Sequence, residues 1–383
     1  MADWREHKLG ELIAIKHGFA FKGEYFSDEP GAGPILVTPG NFAMGGGFKA
    51  AKPKFYTGEI PEGYMLRKGD LVVTMTDLSK SADTLGYGAL VPGDATYLHN
   101  QRIGLVQILK PELLDKSFLH YALRVSEYRH HVVSGATGST VKHTSPGRIC
   151  EYRMPLPPLG EQQGIARVLG VLDDKIDVNR QISGAAVELS RAVYVDASQR
   201  GGEISELGKH VVLKYGKALR APDRRPGDVP VFGCTGQVGW HESELTPGPG
   251  PVVGRKGANA GWVSWSPRSC WVIDTAFFVD IVSAYLSPEV AFLMLENANL
   301  PGLVGDSAVP GLNRDAAHRH VVRVPEQMKA REVTEKVRPL MVRSTQAQRE
   351  SRALAALRDT LLPQLMSGKL RVRDAERIVE DAV

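Results

Sequence analysis

The chain has 383 residues, of which 43% are hydrophobic and 23% charged, and its formal net charge is +4. This length predicts two or three domains of ordinary globular composition. No stretch approaches the roughly 20 apolar residues of a membrane span, and the first residues are polar, unlike a signal peptide. Cys150, Cys234 and Cys270 are far apart and odd in number. These features predict a cytoplasmic protein with free thiols.

No segment of the chain is a basic block. A protein that held nucleic acid through a basic tract is therefore excluded. If the chain binds DNA, a few well-placed cations and partner proteins must supply the phosphate contacts.

The first globular segment, residues 1–158, is predicted to be mixed and strand-rich. Asp70–Met75 and Arg102–Leu109 are short β-prone runs bounded by glycine, proline and aspartate. Residues Asp115–Ser134 then carry a helical pattern. The segment therefore predicts strands followed by one helix.

A long helix is predicted over residues 159–200, directly after the rigid pair Pro157-Pro158. Its apolar residues recur in steps of four and three, as in a coiled coil. The positions are Ile165, Leu169, Leu172 and Ile176, resuming at Ile182, Ala186, Leu189 and Val193. A helix of this length with one apolar stripe is not stable alone, so it needs a partner.

The second globular segment, residues 201–325, repeats this plan. Pro251–Gly254 and Phe277–Val282 predict strands. Ser287–Ala298 predicts a helix in which Ser287 is the N-cap and the following proline is the first helical residue.

A second long helix is predicted over residues 326–370, and a charged tail follows over 371–383. The helix has a strict stripe in steps of four and three. Its positions are Val333, Val337, Leu340, Ser344, Ala347, Ser351, Leu354, Arg358, Leu361 and Leu365. We expect Pro339 to kink this helix one turn after its start and Pro363 to end it.

The two globular segments are related by an internal repeat. Gly10 and Gly18 are matched by glycines 198 positions later, inside similar sequences. Further along, Ser139–Val141 resembles Ser307–Val309, and Pro157 matches Pro325, both at an offset of 168. The smaller offset indicates that the second segment has lost about 30 residues in its middle.

These elements predict an α+β fold with two mixed, strand-rich globular domains, two long helices and a pseudo-two-fold internal repeat. The economical arrangement pairs the two helices with each other as an antiparallel coiled coil, with the globular domains at opposite ends. The alternative is that each helix packs on its own globular domain.

Several motifs resemble the specificity subunits of type I restriction–modification systems, over essentially the whole chain. They are Asn100–Gly104, Pro155–Ala166, Leu172–Ile176, Val253–Gly257, Ile273–Phe278 and Leu357–Leu370. The chain departs from the family pattern at Val324–Met328, a degraded copy of the junction that begins at Pro155, and at the expected kink of Pro339.

The resemblance implies a non-catalytic subunit without cofactor or bound metal. In such subunits each of two target-recognition domains reads one half of a bipartite site in double-stranded DNA. The paired helices fix the gap between the half-sites and dock two methyltransferase subunits, through which restriction subunits join. Because the two segments match only in their framework, we expect an asymmetric target and not a palindrome.

Motifs for independent catalysis are missing from the sequence. No phosphate-binding loop of the form GxxxxGK[ST] occurs, and neither Asn-Pro-Pro-aromatic nor Asp-Pro-Pro-aromatic is present. His130-His131 and the pair His318 and His320 have no cysteine or acidic partner at metal-ligand spacing. The pair Asp173-Asp174 is interpreted as a solvated helix face or a methyltransferase contact.

Candidate DNA contacts lie on glycine-containing loops and near cations, since arginine and lysine read guanine and asparagine and glutamine read adenine. In the first segment they are Lys49, Lys52, Lys54, Tyr56, Thr76, Ser79, Lys80, Lys142 and His143. In the second they are Thr235, Gln237, Arg255, Lys256 and Asn259. The tryptophans Trp240, Trp262, Trp265 and Trp271 are assigned to the core.

Two rival functions remain beside DNA recognition. One is a non-catalytic coiled-coil scaffold that binds proteins through its two strand-rich domains. The other is a nuclease or methyltransferase in its own right, which the missing motifs disfavour. The scaffold predicts no salt-dependent affinity for DNA even when partner proteins are present.

Overall fold

The computed structural model describes residues 4–49, 51–305 and 310–383, and the chain divides into two compact units. Unit 1 comprises Met1–Lys175 and Ala353–Val383, and unit 2 comprises Ile176–Arg352. Each unit therefore contains one globular segment and parts of both long helices. Ser307–Val309, one half of a predicted repeat, lies outside the described residues.

The globular part of unit 1 is built from short strands and three short helices. The strands are β1 (Arg5–Lys8), β2 (Ile13–His17), β3 (Phe26–Ser27), β4 (Ile35–Leu36), β5 (Phe55–Tyr56), β6 (Met65–Leu66), β7 (Leu71–Thr74), β8 (Thr76–Asp77), β9 (Gly88–Leu90), β10 (Tyr97–Leu98), β11 (Ile103–Ile108), β12 (Lys142–His143) and β13 (Arg153–Leu156). The helices are α1 (Lys116–Ala122), α2 (Ser126–Ser134) and α3 (Pro146–Cys150).

The globular part of unit 2 has fewer strands. They are β14 (Gly202–Glu206), β15 (Val211–Tyr215), β16 (Val229–Gly233), β17 (Gly236–His241), β18 (Gly250–Gly254), β19 (Val263–Ser266), β20 (Trp271–Val272), β21 (Ala276–Ile281) and β22 (Val321–Pro325). Its helices are α5 (Pro288–Asn297) and α6 (Arg314–Arg319), and the remaining helices of the chain are α4 (Leu159–Gly201), α7 (Gln327–Met366) and α8 (Val372–Glu380).

Both globular parts share one strand connectivity. Unit 1 has an antiparallel sheet in the order β2-β11-β7-β9, and unit 2 has the matching order β15-β21-β18-β19. In each, a second sheet contains one parallel pair, β4 with β10 and β16 with β20. In each, the first strand pairs with the strand that leads into a long helix, β1 with β13 and β14 with β22. The predicted internal repeat is confirmed.

The matched glycines explain why the repeat is visible in the sequence. A Cβ at Gly18 would lie 2.0 Å from the carbonyl oxygen of Asn100, and a Cβ at Gly216 would lie 2.1 Å from that of Ile273. Both positions bring two backbones together so closely that only glycine fits. The second sheet of unit 1 has five strands where that of unit 2 has three.

The two long helices run antiparallel within unit 2. A Cβ at Gly201 would lie 3.6 Å from the Lys329 side chain, and further along Ser183 Oγ lies 2.8 Å from Ser344 Oγ. Both helices also pack on the globular part, because Tyr194 of α4 and Val337 of α7 belong to the same buried core as Phe277 of β21. Helix pairing and packing on the globular domain, posed as alternatives from the sequence, occur together.

The buried face of α4 in unit 2 differs from the predicted one. We call it the inner stripe, and it comprises Ile176, Asn179, Ser183, Ala186 and Ser190. The expectation that Leu189 lies inside is wrong, since that side chain is 52% exposed. The other predicted interface residues are buried, namely Ile165, Leu169, Leu172, Ile176, Val337, Leu354, Leu361 and Leu365, apart from Leu340, which is half-buried.

Three predicted element boundaries are corrected. The helix over Asp115–Ser134 is two helices, because the backbone at Val125 is extended and interrupts the hydrogen-bond ladder between α1 and α2. Helix α7 begins at Gln327, so Pro339 lies about three turns inside it, and Pro363 is followed by three more helical residues. The charged tail contains α8, which buries Ala375 and Val379.

The remaining predicted elements are confirmed. The helix expected at Ser287–Ala298 is α5, in which Ser287 Oγ accepts a hydrogen bond from the backbone nitrogen of Val290. The four predicted strands correspond to β7, β11, β18 and β21. Among the helices of the described residues, none is long and apolar enough to cross a membrane.

Candidate nucleic-acid interface

One candidate loop of each segment, at Thr76 in unit 1 and at Lys256 in unit 2, occupies the same place in the repeated fold. In unit 1, β8 pairs with β12, so that Thr76 faces His143. In unit 2, an isolated bridge joins Lys256 to Gly311 at the equivalent point. In both units, the segment that follows a central strand of the antiparallel sheet is held against the segment that precedes a short helix.

Backbone hydrogen bonds fix this arrangement in the same way in each unit. The carbonyl of Met75 accepts from the nitrogen of Thr144 at 3.0 Å, and the carbonyl of Arg255 accepts from the nitrogen of Leu312 at 2.9 Å. The helices that follow have side-chain caps at equivalent positions. Ser145 Oγ accepts from the nitrogen of Arg148, and Asn313 Oδ1 accepts from that of Ala316. The scaffold is constant, whereas the side chains on it differ.

In unit 1 the structure brings together two candidate loops, one with Thr76, Ser79 and Lys80 and the other with Lys142 and His143. Lys80 and His143 are exposed. Thr76 is buried, with its Oγ1 lying 3.1 Å from Nδ1 of His143, so it positions the imidazole and is not itself presented. Ser79 Oγ accepts from the nitrogen of Asp83.

The buried side chain of Asp77 stabilises this loop through hydrogen bonds. The sequence alone did not indicate this role. Its carboxylate accepts from the nitrogen of Ser79 at 2.7 Å and from Oγ1 of Thr84 at 2.7 Å. Burial raises the pKa of Asp77, but these hydrogen bonds outweigh burial and hold its pKa below the ordinary value. The loop that carries Lys80 is therefore closed around a buried carboxylate.

In unit 2 the loop presents a stack of two arginines on one tyrosine. The Arg255 guanidinium lies 4.7 Å from the centre of the Tyr215 ring, and the Arg314 guanidinium lies 5.2 Å from it. Arg255 Nη1 also donates to the carbonyl of Asp274 at 2.8 Å. Tyr215 is 48% exposed. Sequence reasoning missed Tyr215 and Arg314, although Tyr215 stands within a repeated trio.

The remaining candidates of unit 2 fall into two groups. Lys256 is exposed and Asn259 half-buried in the same loop as Arg255. Thr235 is also exposed. It lies close to this loop, because a Cβ at Gly254 would be 3.2 Å from Sγ of Cys234, the residue before Thr235. Gln237 is different, because its side chain lines a cavity against α7.

The candidates Lys49, Lys52, Lys54 and Tyr56 lie on β5 and on the segment that precedes it. Lys52 forms an ion pair with Asp28 at 3.2 Å, and the Lys54 ammonium lies 5.6 Å from the centre of the Phe26 ring. Tyr56 is only 4% exposed and packs edge-on against a neighbouring phenylalanine. Tyr56 therefore belongs to the core and corrects our expectation of a backbone contact.

Two tryptophans assigned to the core are exposed. Trp240 is 45% exposed and Trp262 is 60% exposed. Trp262 closes the same turn as Asn259, since its backbone nitrogen donates to the carbonyl of that residue. An exposed indole beside the Arg255 loop is a surface on which a base or sugar can pack.

Asp173 is not a solvated residue, as the sequence had suggested, but the centre of a buried network in unit 1. Its carboxylate accepts from Tyr121 Oη at 2.9 Å, from Arg124 Nη1 at 3.1 Å and from Arg358 Nη1 at 2.6 Å. Burial raises the pKa of Asp173, but the two guanidinium groups outweigh burial and hold its pKa below the ordinary value. The network joins α1, α4 and α7.

Comparison with known proteins bears on what this surface does. Residues 1–186 match the family model of the type I restriction modification DNA specificity domain. The match covers just under half of the chain. The resemblance to the specificity subunits of type I restriction–modification systems, inferred from the sequence, is confirmed.

Two relatives of this specificity domain carry matching names. The type I restriction enzyme EcoBI specificity subunit of Escherichia coli is 28% identical over 178 residues, 45% of this chain and 33% of that protein. The type I restriction enzyme MjaVIII specificity subunit of Methanocaldococcus jannaschii is 26% identical over 188 residues, 47% of this chain and 41% of that protein. The matched segments thus span well under two thirds of either relative.

The structural likeness extends over the rest of the chain. The type I restriction–modification S subunit from M. genitalium aligns with a TM-score of 0.62 and 18% identity, covering 95% of this chain and 96% of that one. At this identity the likeness concerns the fold. Both globular parts and both long helices thus follow the architecture of a specificity subunit.

The arrangement offers hydrogen-bond donors, cations and aromatic surface on loops. Within the residues that the structure describes, no group of three or more histidine, cysteine or acidic side chains could hold a metal ion. Burial raises the pKa of the Cys234 thiol, which stands beside the Arg255 loop. A raised pKa makes that cysteine a poor nucleophile. These loops are suited to recognition.

Proposed function

We propose that the chain is the DNA sequence-specificity subunit of a type I restriction–modification complex. It binds an asymmetric, bipartite site in double-stranded DNA, with one half read by each target-recognition domain. The observation that supports this most is the repeated loop pair, in which one backbone scaffold carries Lys80 and His143 in unit 1 and Arg255 and Lys256 in unit 2.

The two loop pairs differ in the chemistry that base readout requires. In unit 2, Arg255 and Asn259 provide a guanidinium and a carboxamide, the groups that read guanine and adenine in the major groove. In unit 1, Lys80, Lys142 and His143 provide point cations and an imidazole. Different side chains on one scaffold select different half-sites, whereas a palindromic target would require the same set twice.

Partner subunits complete the proposed complex. Four residues of α4 in unit 2 form an outer stripe at coiled-coil spacing, namely Val178, Ile182, Ala185 and Leu189. Val178 is 48% exposed and Leu189 is 52% exposed. An apolar stripe left open on a helix suits a partner helix. We assign it to a methyltransferase subunit, of which the complex holds two, with restriction subunits joining through them.

The subunit itself is proposed to be non-catalytic, so the complex must be assayed. We would co-express the chain with its methyltransferase subunit and map methylated bases in the host genome. We expect modification at a split motif with a fixed spacer. Deleting the gene without losing any methylated motif would contradict the proposal.

Substitution in one loop tests the assignment of half-sites. Replacing Arg255 and Lys256 together by alanine should abolish or relax recognition of one half of the motif only, because each good bidentate contact contributes roughly 1–3 kcal/mol of discrimination. The matched control replaces the exposed Lys369, which lies far along the chain after α7. If both halves changed together, the two domains would not read independently.

The coiled-coil scaffold is the second candidate, and the open outer stripe is the observation that favours it. A scaffold would still bind its partner proteins through Leu189. It would show no DNA affinity that falls with salt when those partners are present. Measuring binding to duplex DNA over a range of salt concentrations separates the two functions.

A further inference from the structure

A cavity of about 250 Å³ lies in unit 2, between the sheet of β16 and β17 and one face of α7. Its aromatic wall is formed by Phe232, Trp240 and Trp265. Arg268, which follows β19, and Arg349 and Arg352 of α7 also line the cavity. The proposed function makes no use of this space.

Three arginines line the cavity, two of them without an acidic partner among the described residues. No acidic residue is among those that line it. Arg268 forms an ion pair with Asp228 at 2.9 Å and lies 5.6 Å from the centre of the Trp240 ring. Within the described residues, Arg349 and Arg352 have no acidic partner, and their spacing of three places them on the same face of α7. Two guanidinium groups are thus available for an anion.

The walls specify more than an anion. Tryptophan and phenylalanine rings provide a surface on which planar bases stack, each stacked base contributing roughly 1–3 kcal/mol. Arginine binds phosphate oxygens with paired N–H groups. Gln348 also lines the cavity and is anchored by a hydrogen bond of 2.9 Å from its Nε2 to Ser183 Oγ. A ligand with a planar aromatic part and a phosphate satisfies all of these groups together.

The cavity is separate from the proposed DNA-reading loop. Strands β18 and β19 pair so that Val253 faces Val263 and Gly250 faces Ser266. The Arg255 loop follows the first of these pairs, whereas Trp265 and Arg268 lie at the second. The two places are therefore at opposite ends of the hairpin, roughly 10 Å apart at 3.4 Å per residue. The cavity does not depend on the proposed DNA-reading function.

We propose that this cavity binds a nucleoside phosphate, with the base against Trp240 and Trp265 and the phosphate on Arg349 and Arg352. The same chemistry has two sources, a free mononucleotide or a nucleotide unstacked from a single strand. The cavity is about the size of one such unit, and Arg349 and Arg352 are exposed to solvent.

The test is a titration of the purified full-length chain, followed by its tryptophan fluorescence. The probes are adenosine 5′-monophosphate, adenosine, inorganic phosphate and an eight-residue single strand of thymidine. We expect adenosine 5′-monophosphate to bind at least tenfold more tightly than adenosine or phosphate. Replacing Arg349 and Arg352 by alanine should weaken this binding at least tenfold, whereas Arg331→Ala, an exposed change on the same helix, should not.

The outcomes separate the two sources and can overturn the proposal. Saturable binding of the mononucleotide indicates a free ligand, and binding of only the single strand, lost in the double variant, indicates an unstacked nucleotide. Circular dichroism shows whether each variant is folded, and both arginines are exposed enough for the fold to tolerate their loss. The proposal is overturned if no probe binds, if phosphate binds as well as the nucleotide, or if the folded double variant binds unchanged.

Discussion

Replacing Asp173 by alanine should loosen unit 1 at one identifiable place. The substitution removes the carboxylate that accepts from Tyr121, Arg124 and Arg358. The side chain of Arg124 is only 3% exposed and that of Arg358 is 13% exposed. Neither charge can recover the lost contact by turning to water, so each arginine depends on the partners that remain.

The magnitude follows from what each arginine keeps. Breaking a buried pair by removing one partner costs about 3–5 kcal/mol. Arg358 keeps an ion pair with Asp359 at 2.7 Å, and Arg124 keeps a hydrogen bond to the carbonyl of Gly45. The lower end of the range therefore applies, and we expect a loss of about 3 kcal/mol, or roughly a 150-fold change in an opening equilibrium.

Hydrogen–deuterium exchange with mass spectrometry measures this loss locally, which matters because a chain of two units need not unfold in one step. Peptides from α1 and from residues 353–366 should lose protection, while peptides from β18 and β21 should not. The control is Asp174→Ala, which removes the exposed neighbouring carboxylate. Equal behaviour of the two variants would refute the reasoning.

The pH dependence gives an independent check on the same network. The pKa of Asp173 is lower in the folded protein than its ordinary value. Its stabilisation is therefore complete above the unfolded pKa of about 4 and is lost as the pH falls through the lower folded value. The difference in melting temperature between wild type and Asp173→Ala should be constant from pH 7 to pH 5 and should shrink only below pH 4.

Three further predictions concern the long helices. Leu189→Glu should change the melting temperature little, since the side chain is 52% exposed. The same variant should no longer co-purify with the methyltransferase subunit. If it still co-purified, the outer stripe would not be part of that interface. Asn179→Leu should raise the melting temperature by an amount equivalent to about 1–3 kcal/mol. The reason is that Asn179 is 1% exposed and its two amide atoms find no hydrogen-bond partner among the described residues. A lower melting temperature would contradict this. Deleting seven residues within 340–354 should alter the spacer of the methylated motif or prevent assembly, and a changed half-site sequence would exclude a spacing role.

The existence of the long helices could be predicted from the sequence, but the face that α4 buries in unit 2 could not. Ile182 and Leu189 are more apolar than Ser183 and Ser190, so the pattern favours burying the former. The structure buries the serines, and Ser183 Oγ lies 2.8 Å from Ser344 Oγ across the pair. Small side chains let two helices approach closely. A helix that packs against two partners buries two stripes of residues, and the positions of one stripe are shifted by one residue from those of the other.

The break between α1 and α2 was also beyond sequence reasoning, because neither glycine nor proline occurs there. The break is explained by tertiary contacts. Arg124 leaves the end of α1 and reaches both Asp173 and the carbonyl of Gly45. The local sequence pattern cannot reveal that contacts with distant residues interrupt the helix between α1 and α2.

The candidate loops were predicted better than individual side chains. Their positions follow from strands that end in glycine or polar residues, which the sequence shows. Thr76 and Tyr56 are buried, however, because one is bonded to His143 and the other packs in an aromatic cluster formed by distant segments. Tyr215 lies between two arginines that are 59 positions apart in the sequence, Arg255 and Arg314. Only the fold brings those three together.

The spacing of equivalent residues shows where the two globular segments differ in length. Gly18 and Gly216 are 198 positions apart, Thr76 and Lys256 are 180 apart, and the segment at His143 lies 168 before Gly311. The second segment has therefore lost residues in two places, one on each side of the central strand that carries the loop.

The strand itself, the bridge and the cap of the following helix are kept in both units. Backbone contacts maintain this scaffold whatever side chains the loop carries, so the loop residues are free to change without cost to the fold. A duplicated protein whose two copies keep the same backbone framework but carry different exposed loop residues is suited to binding two different sequences. The difference between the side chains carried there, Lys80 and His143 in unit 1 and Arg255 and Lys256 in unit 2, is the basis of the asymmetric target that we propose.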